Sequence, residues 1–155
     1  MIEIYKKNSL INIKNSDNVI VNVDIEKKEV SIGDYLVDFP GEYEKSWILL
    51  EVKEYENKLF YSFLIEWKVI FVLFYDDFDQ KEEIMTFFWN IDILLIVWSK
   101  NATKVVENIE ARVVIPFWEW KDIFLHTISQ HKEEIEVFKL KWDMWDENTE
   151  FVNLK

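Results

Sequence analysis

The sequence contains no cysteine, which excludes disulfides, thiolate metal sites and cysteine nucleophiles and fits a reducing, cytoplasmic location. Glycine is almost missing as well: Gly33 and Gly41 are the only two, where a typical chain is about 7% glycine. Without glycines there is no phosphate-cradling loop, and Ser9, Ser31 and Ser99 lack the glycine-framed elbow of a serine nucleophile. Basic residues are outnumbered 18 to 30, and the net charge of −12 repels phosphate backbones and anionic lipid. Nucleic acid and membrane surfaces are therefore excluded as partners, whereas cationic or apolar partners are easily accommodated. Apolar runs such as VIFVLFY at 69–75 fall far short of the ~20 residues a membrane helix needs. The opening MIEIYKKNSL has no long apolar stretch, so no signal peptide is expected.

What is present is an apolar half of a 155-residue chain, enough for one domain over residues 1–155 with a real core. Segments 2–5, 10–14, 19–25, 29–32, 35–38, 48–55, 59–66 and 69–75 read as strands, and several alternate apolar with polar residues, as in LINIK and VIVNVDIE. A meander of antiparallel strands is the expectation. Residues 79–88 then read as a helix with acids in its first turn, 91–97 (IDILLIV) as a buried strand, and 99–109 as a helix capped by Ser99. A second buried strand, ARVVIPF, closes a β-α-β unit. DIFLHTISQHKEEIEVFKL accommodates a short helix and a strand, and TEFVNL an edge strand. Strands passing into βαβ predict an α+β fold, a β-sandwich flanked by helices.

Against two glycines stand eight tryptophans, and they occupy punctuation sites. Trp67 lies between two strands, Trp89 between a helix and a strand, and Trp98, Trp118 and Trp120 directly after buried strands. Trp142 and Trp145 fall in the loop-like KWDMWDEN, and Trp47 lies next to a strand. Chains place glycine at such points, for positive φ or close backbone approach. Reading glycine at each yields ordinary turns: IEGKV, IPFGEGKD, KGDMGDEN. The hypothesis is that these codons are UGA, read as glycine in the source lineage. The alternative is an aromatic surface for stacking sugars or, less readily at this charge, bases.

FPGEYEKSWILLEV, WNIDILLIVWS and VVENIEARVVIPF, in that order, resemble the small bacterial branch of the metallo-β-lactamase-fold hydrolases. In that branch Pro-Gly-Glu-Tyr-Glu precedes a glycine and a strand, a Gly-Asp-x-Asp strand ends in Val-Gly-Gly, and a helix leads to Ile-Pro-Met-His. The resemblance implies a metallo-β-lactamase-like sandwich, with Trp47, Trp89 and Trp98 at family glycines. It also implies a structural, turn-shaping role for Pro40, Gly41, Glu42, Tyr43 and Glu44.

The departures bear on function. The family binds its metal through a His-x-His-x-Asp-His loop and a later histidine, generating a hydroxide nucleophile. No such loop is present, the interval EKKEVSIGD being too short for it, and Phe117-Trp118 stands where Met-His is expected. The domain reads as truncated. Of the ligands, only an acid near the metal-bridging aspartate remains, Asp76 or Asp77. With Asp79 these form the candidate acidic metal site, although acids after a strand also suit a helix N-terminus. His126 and His131 are five apart, which does not face two imidazoles onto one ion, and they read as surface or packing residues. The expectation is a non-catalytic relative without cofactor, a binding or assembly module whose partner is a second copy or another protein. The alternative is a metal-dependent hydrolase rebuilt around Asp76, Asp77 and Asp79.

Overall fold

Alternating burial builds the first sheet. In β1 (Ile2–Lys7), β2 (Leu10–Lys14), β3 (Ile20–Asp24), β4 (Glu29–Ile32) and β5 (Tyr35–Val37), Ile2, Ile4, Ile11, Ile13, Val21, Val23, Val30 and Ile32 face one way and are buried. Asn12, Asn22 and Ser31 stand in register on the other face. These strands form an antiparallel meander, and β13 (Val137–Leu140) pairs antiparallel with β1, with Ile2 opposite Leu140. This computed structural model describes residues 1–97, 101–117, 126, 133–140 and 148–155.

The second sheet is mixed. Hairpins join β6 (Gly41–Lys45), β7 (Ile48–Tyr55), β8 (Lys58–Ile65) and β9 (Lys68–Leu73); β10 (Ile91–Val97), β11 (Ala111–Phe117) and β14 (Glu150–Phe151) continue it in parallel. Parallel neighbours need a crossover, and α1 (Glu82–Met85) and α2 (Ala102–Asn108) lie in the two crossovers between β9, β10 and β11. IDILLIV does not alternate because β10 is buried on both faces. A small pair, β12 (Glu134–Ile135) with β15 (Asn153–Leu154), completes the described elements.

Two apolar layers hold this arrangement. Ile4, Ile13, Val23, Ile32, Leu50, Phe63, Val72, Leu95 and Ile115 interlock between the sheets. Phe60, Phe71, Leu94, Ile96 and Val114 on the outer face of the second sheet are covered by Ile84, Val105 and the aromatic pair Phe87 and Phe88. Burial on this scale is worth about 25 cal/mol per Å² of apolar surface, so both layers outweigh any single turn.

The molecule is mostly β, and the helical flanks are smaller than expected. The helix anticipated at 79–88 shrinks to Glu82–Met85. Tyr55 donates its hydroxyl to the Asp79 carbonyl at 2.8 Å, Lys81 is extended, and Phe87 and Phe88 turn onto Phe71 with ring centroids at 5.0 Å. Tertiary burial overrides helical continuation here. The second helix starts after Asn101, not at the anticipated Ser99, which lies outside the described residues. Pro40 stands in the bend before β6, whereas Gly41, Glu42, Tyr43 and Glu44 depart from their turn-shaping reading, because Gly41–Lys45 is strand β6. Five residues rich in glutamate have low β propensity; the signal was the two-residue spacing to Ile48, which demands a hairpin. TEFVNL divides into β14 and β15, and β13 falls at the end of DIFLHTISQHKEEIEVFKL, a stretch expected to accommodate a short helix and a strand. The helix expected before it falls among residues that, apart from the exposed His126, lie outside the description.

Three successive hairpins, β6–β7, β7–β8 and β8–β9, are closed by Ser46-Trp47, Glu56-Asn57 and Glu66-Trp67. All six residues have positive φ, between 48° and 64° except Trp67 at 65°. This is the type I′ geometry that matches strand twist, and it favours Asn-Gly. Trp47 and Trp67 thus occupy the glycine position of their turns, with rings 84% and 83% exposed. At Trp89 the left-handed residue is its neighbour Asn90, φ 51°, a residue type that adopts this region readily. Trp98, Trp118, Trp120, Trp142 and Trp145 lie outside the described residues.

Candidate functional site

Parallel strands of an open sheet present their carboxyl ends to ligands, and the candidate acids follow the end of β9. Asp76 is only 8% exposed. Its Oδ2 accepts the Asn101 amide at 3.2 Å, and the Ala102 amide also bonds to this carboxyl, so Asp76 anchors the start of α2 from a distant loop. Burial pushes its pKa up, the charge of Asp77 adds to this, and the amides of Asn101, Ala102 and Asp76 itself only partly oppose it. Asp77 is exposed. Asp79 turns away: its amide donates to the Glu56 carboxylate at 3.3 Å and its own carboxylate meets Lys81 at 3.3 Å.

The space beside these acids is packed with rings. Phe74 meets Tyr61 at 5.9 Å and Phe117 at 6.2 Å, both edge-on, inside the layer between the sheets. The Tyr61 hydroxyl donates to the Val37 carbonyl at 3.5 Å, and burial pushes its pKa up to about 12. Tyr75 faces outward beneath Lys28, whose Nζ lies 4.4 Å from the ring centroid.

This donor set does not fit the metal that the fold family implies. The Asp76 carboxylate that a metal would need is already engaged by the backbone amides of Asn101 and Ala102. Position 118 is tryptophan, whose ring nitrogen is a donor only. His126 is exposed, His131 lies outside the described residues, and among the described residues no three acids or histidines converge to hold an ion. Ser9 and Ser31 serve the first sheet: the Ser9 carbonyl accepts the Ile25 amide, and Ser31 Oγ accepts from Asn22 at 3.4 Å.

Because folded Asp76 holds its proton to a higher pH than an unfolded aspartate, its contribution to stability is fullest below the unfolded pKa and falls as pH rises through the folded pKa. Asp76→Asn cannot ionise. Its urea midpoint relative to wild type is therefore expected to rise from acid pH towards neutrality, then level off. A relative midpoint that falls over that range would mean that a cation or stronger donor set stabilises the carboxylate.

Sequence reasoning passed over one charged cluster, at the opposite end of the strands. Asp92 in β10 accepts the Val69 amide at 2.9 Å and lies 3.8 Å from Lys68 Nζ and 3.3 Å from Arg112 Nη1. A single aspartate inside an apolar strand was its only trace in the sequence.

No family model matches the chain, and no curated protein matches its sequence. Among solved structures it is similar to a Thermotoga maritima protein assigned to the Zn-dependent hydrolases of the metallo-β-lactamase superfamily. The identity is 14%, the TM-score 0.70, and the match covers 99% of both chains. Two meandering halves, a parallel trio and helices on the second sheet's outer face thus form the metallo-β-lactamase fold.

Proposed function

We propose that this chain uses the metallo-β-lactamase fold as a non-catalytic binding module. The observation that carries the reading is the engagement of Asp76, whose carboxylate is turned onto the amides of Asn101 and Ala102 rather than towards a second acid. Without converging donors, and none converge among the described residues, a bound water is not activated to the hydroxide on which hydrolysis by this fold depends. A rebuilt acidic centre at Asp76, Asp77 and Asp79 is disfavoured because Asp79 faces Lys81 and Glu56. What the domain offers instead is rigid sheet with exposed edges.

The test is metal content and turnover on one preparation. After incubation with Zn²⁺ or Mn²⁺ and dialysis, the protein is expected to retain no stoichiometric ion. It is also expected to hydrolyse a chromogenic β-lactam and a chromogenic phosphodiester no faster than the metal in buffer. Retained metal together with hydrolysis that disappears in Asp76→Asn would overturn the reading.

A further inference from the structure

Strand β6 ends the second sheet, and no described strand pairs with its outer side. In a two-residue hairpin the closing residues, here Lys45 and Ile48, form a hydrogen-bonded pair, so Tyr43 with Leu50 and Gly41 with Val52 do likewise. The amides and carbonyls of Glu42 and Glu44 therefore point out of the sheet, and no described backbone group bonds to them. Free edges of this kind pair with added strands unless they are blocked.

The two faces of this edge differ. On one, Glu42 lies directly opposite Glu51, with Glu44 beside them, and none of the three has an ion-pair partner among the described residues. Like charges facing across strands destabilise a sheet, and a cation placed over them removes that penalty. Below the acids a concavity of about 570 Å³ is floored by Leu49, Leu64 and Val69, of which Leu49 is exposed. Such a floor suits the aliphatic stem of Lys or Arg with the charged head at the carboxylates. On the other face Tyr43 meets Tyr35 at 6.5 Å, and the neighbouring Leu36 and Phe39 are exposed, a local concentration of apolar surface.

We propose that β6 docks an extended basic segment of another protein as an eighth strand of this seven-stranded sheet, with Lys or Arg at alternate positions over Glu42, Glu44 and Glu51. The intervening residues are apolar and lie against Tyr35 and Tyr43. A second copy is a poor occupant, since its own β6 sets glutamates against glutamates in a chain of charge −12. The inference rests on the binding role proposed above and gives that role a site and a partner chemistry.

The probe is a short acetylated peptide of alternating Lys and Val, compared with its Glu-for-Lys counterpart. Binding is read by fluorescence anisotropy and mapped by backbone amide shifts. The Lys peptide is expected to bind and to shift the amides of β6, and the Glu peptide is not. The double change Glu42→Lys and Glu44→Lys should weaken binding by about tenfold or more, while Glu107→Lys on α2 leaves it within about twofold. Preserved amide spectra establish that the variants fold. Absence of binding, equal binding of both peptides, or indifference to the β6 change overturns the proposal, as does a dimer of this chain that the β6 change dissociates. Peptide binding mapped away from β6 removes this site yet leaves the binding role standing, whereas metal-dependent hydrolysis removes the role itself.

Discussion

Replacing Trp47 and Trp67 with glycine is expected to stabilise the protein, by about 0.5–1 kcal/mol at each site. Both residues hold φ near 65° at the second position of a type I′ turn, where a β-carbon costs roughly 1–2 kcal/mol. Glycine gives back roughly half of that gain as unfolded-state freedom. Neither ring recovers the loss through packing, because each is more than four-fifths exposed. The two turns close neighbouring strands at the same end of the sheet, so their sum of about 1–2 kcal/mol, against a total of ~5–15, is an upper value that any coupling between them reduces. Asn57, at the same position of the middle hairpin with φ 59°, supplies the internal comparison. Since asparagine tolerates this region, Asn57→Gly is expected to gain much less. Urea titration checks all three: the midpoint should rise in the double variant with its slope unchanged. A double variant no more stable than the parent would show that the turns accept tryptophan and would end the glycine hypothesis for these positions. That hypothesis also requires UGA at all eight tryptophan codons in the source DNA, and UGG codons would refute it directly.

Removing the carboxylate of Asp92 is the most damaging single change expected at a charged residue, costing about 2–3 kcal/mol in Asp92→Ala. The residue is 9% exposed and ties its own strand β10 to both neighbours, through the Val69 amide and Lys68 of β9 and Arg112 of β11. Its loss leaves the Val69 amide without its Asp92 acceptor and takes a carboxylate away from a largely buried ammonium, and such losses cost more than the pair contributes. Arg112 is 43% exposed and can return to water, which keeps the cost below the roughly 5 kcal/mol of fully enclosed pairs. Asp92→Asn retains an acceptor for the amide and should lose only part of the stability. A loss below about 0.5 kcal/mol in the alanine variant would reduce the cluster to surface decoration.

The strands were legible in the sequence wherever one face is wet, because LINIK and VIVNVDIE alternate in step with the pleat. IDILLIV was legible for the opposite reason, being apolar throughout and too short for a helix in this context. The helices were overstated because aromatic side chains carry two competing instructions. Phe87 and Phe88 fit a helical stripe in sequence, yet in space they close over Phe71 and Phe60. The edge strand β6 was hidden by its glutamates, and the role of Asp76 depended on the amides of Asn101 and Ala102, a quarter of a hundred residues later in the chain. Contacts of that separation leave no periodicity to read.

The placement of β13 orders events in time. Strands β6 to β9 follow one another through two-residue loops, so each pairs as soon as its neighbour exists, and such local closure is fast. By contrast β1, made first, keeps one side open until Val137 to Leu140 has been synthesised. During translation β1 is therefore paired on one side only, by β2, while the second sheet is already assembling. Chaperone capture, if it occurs, should centre on Ile2 to Lys7 and cease once Leu140 clears the ribosome.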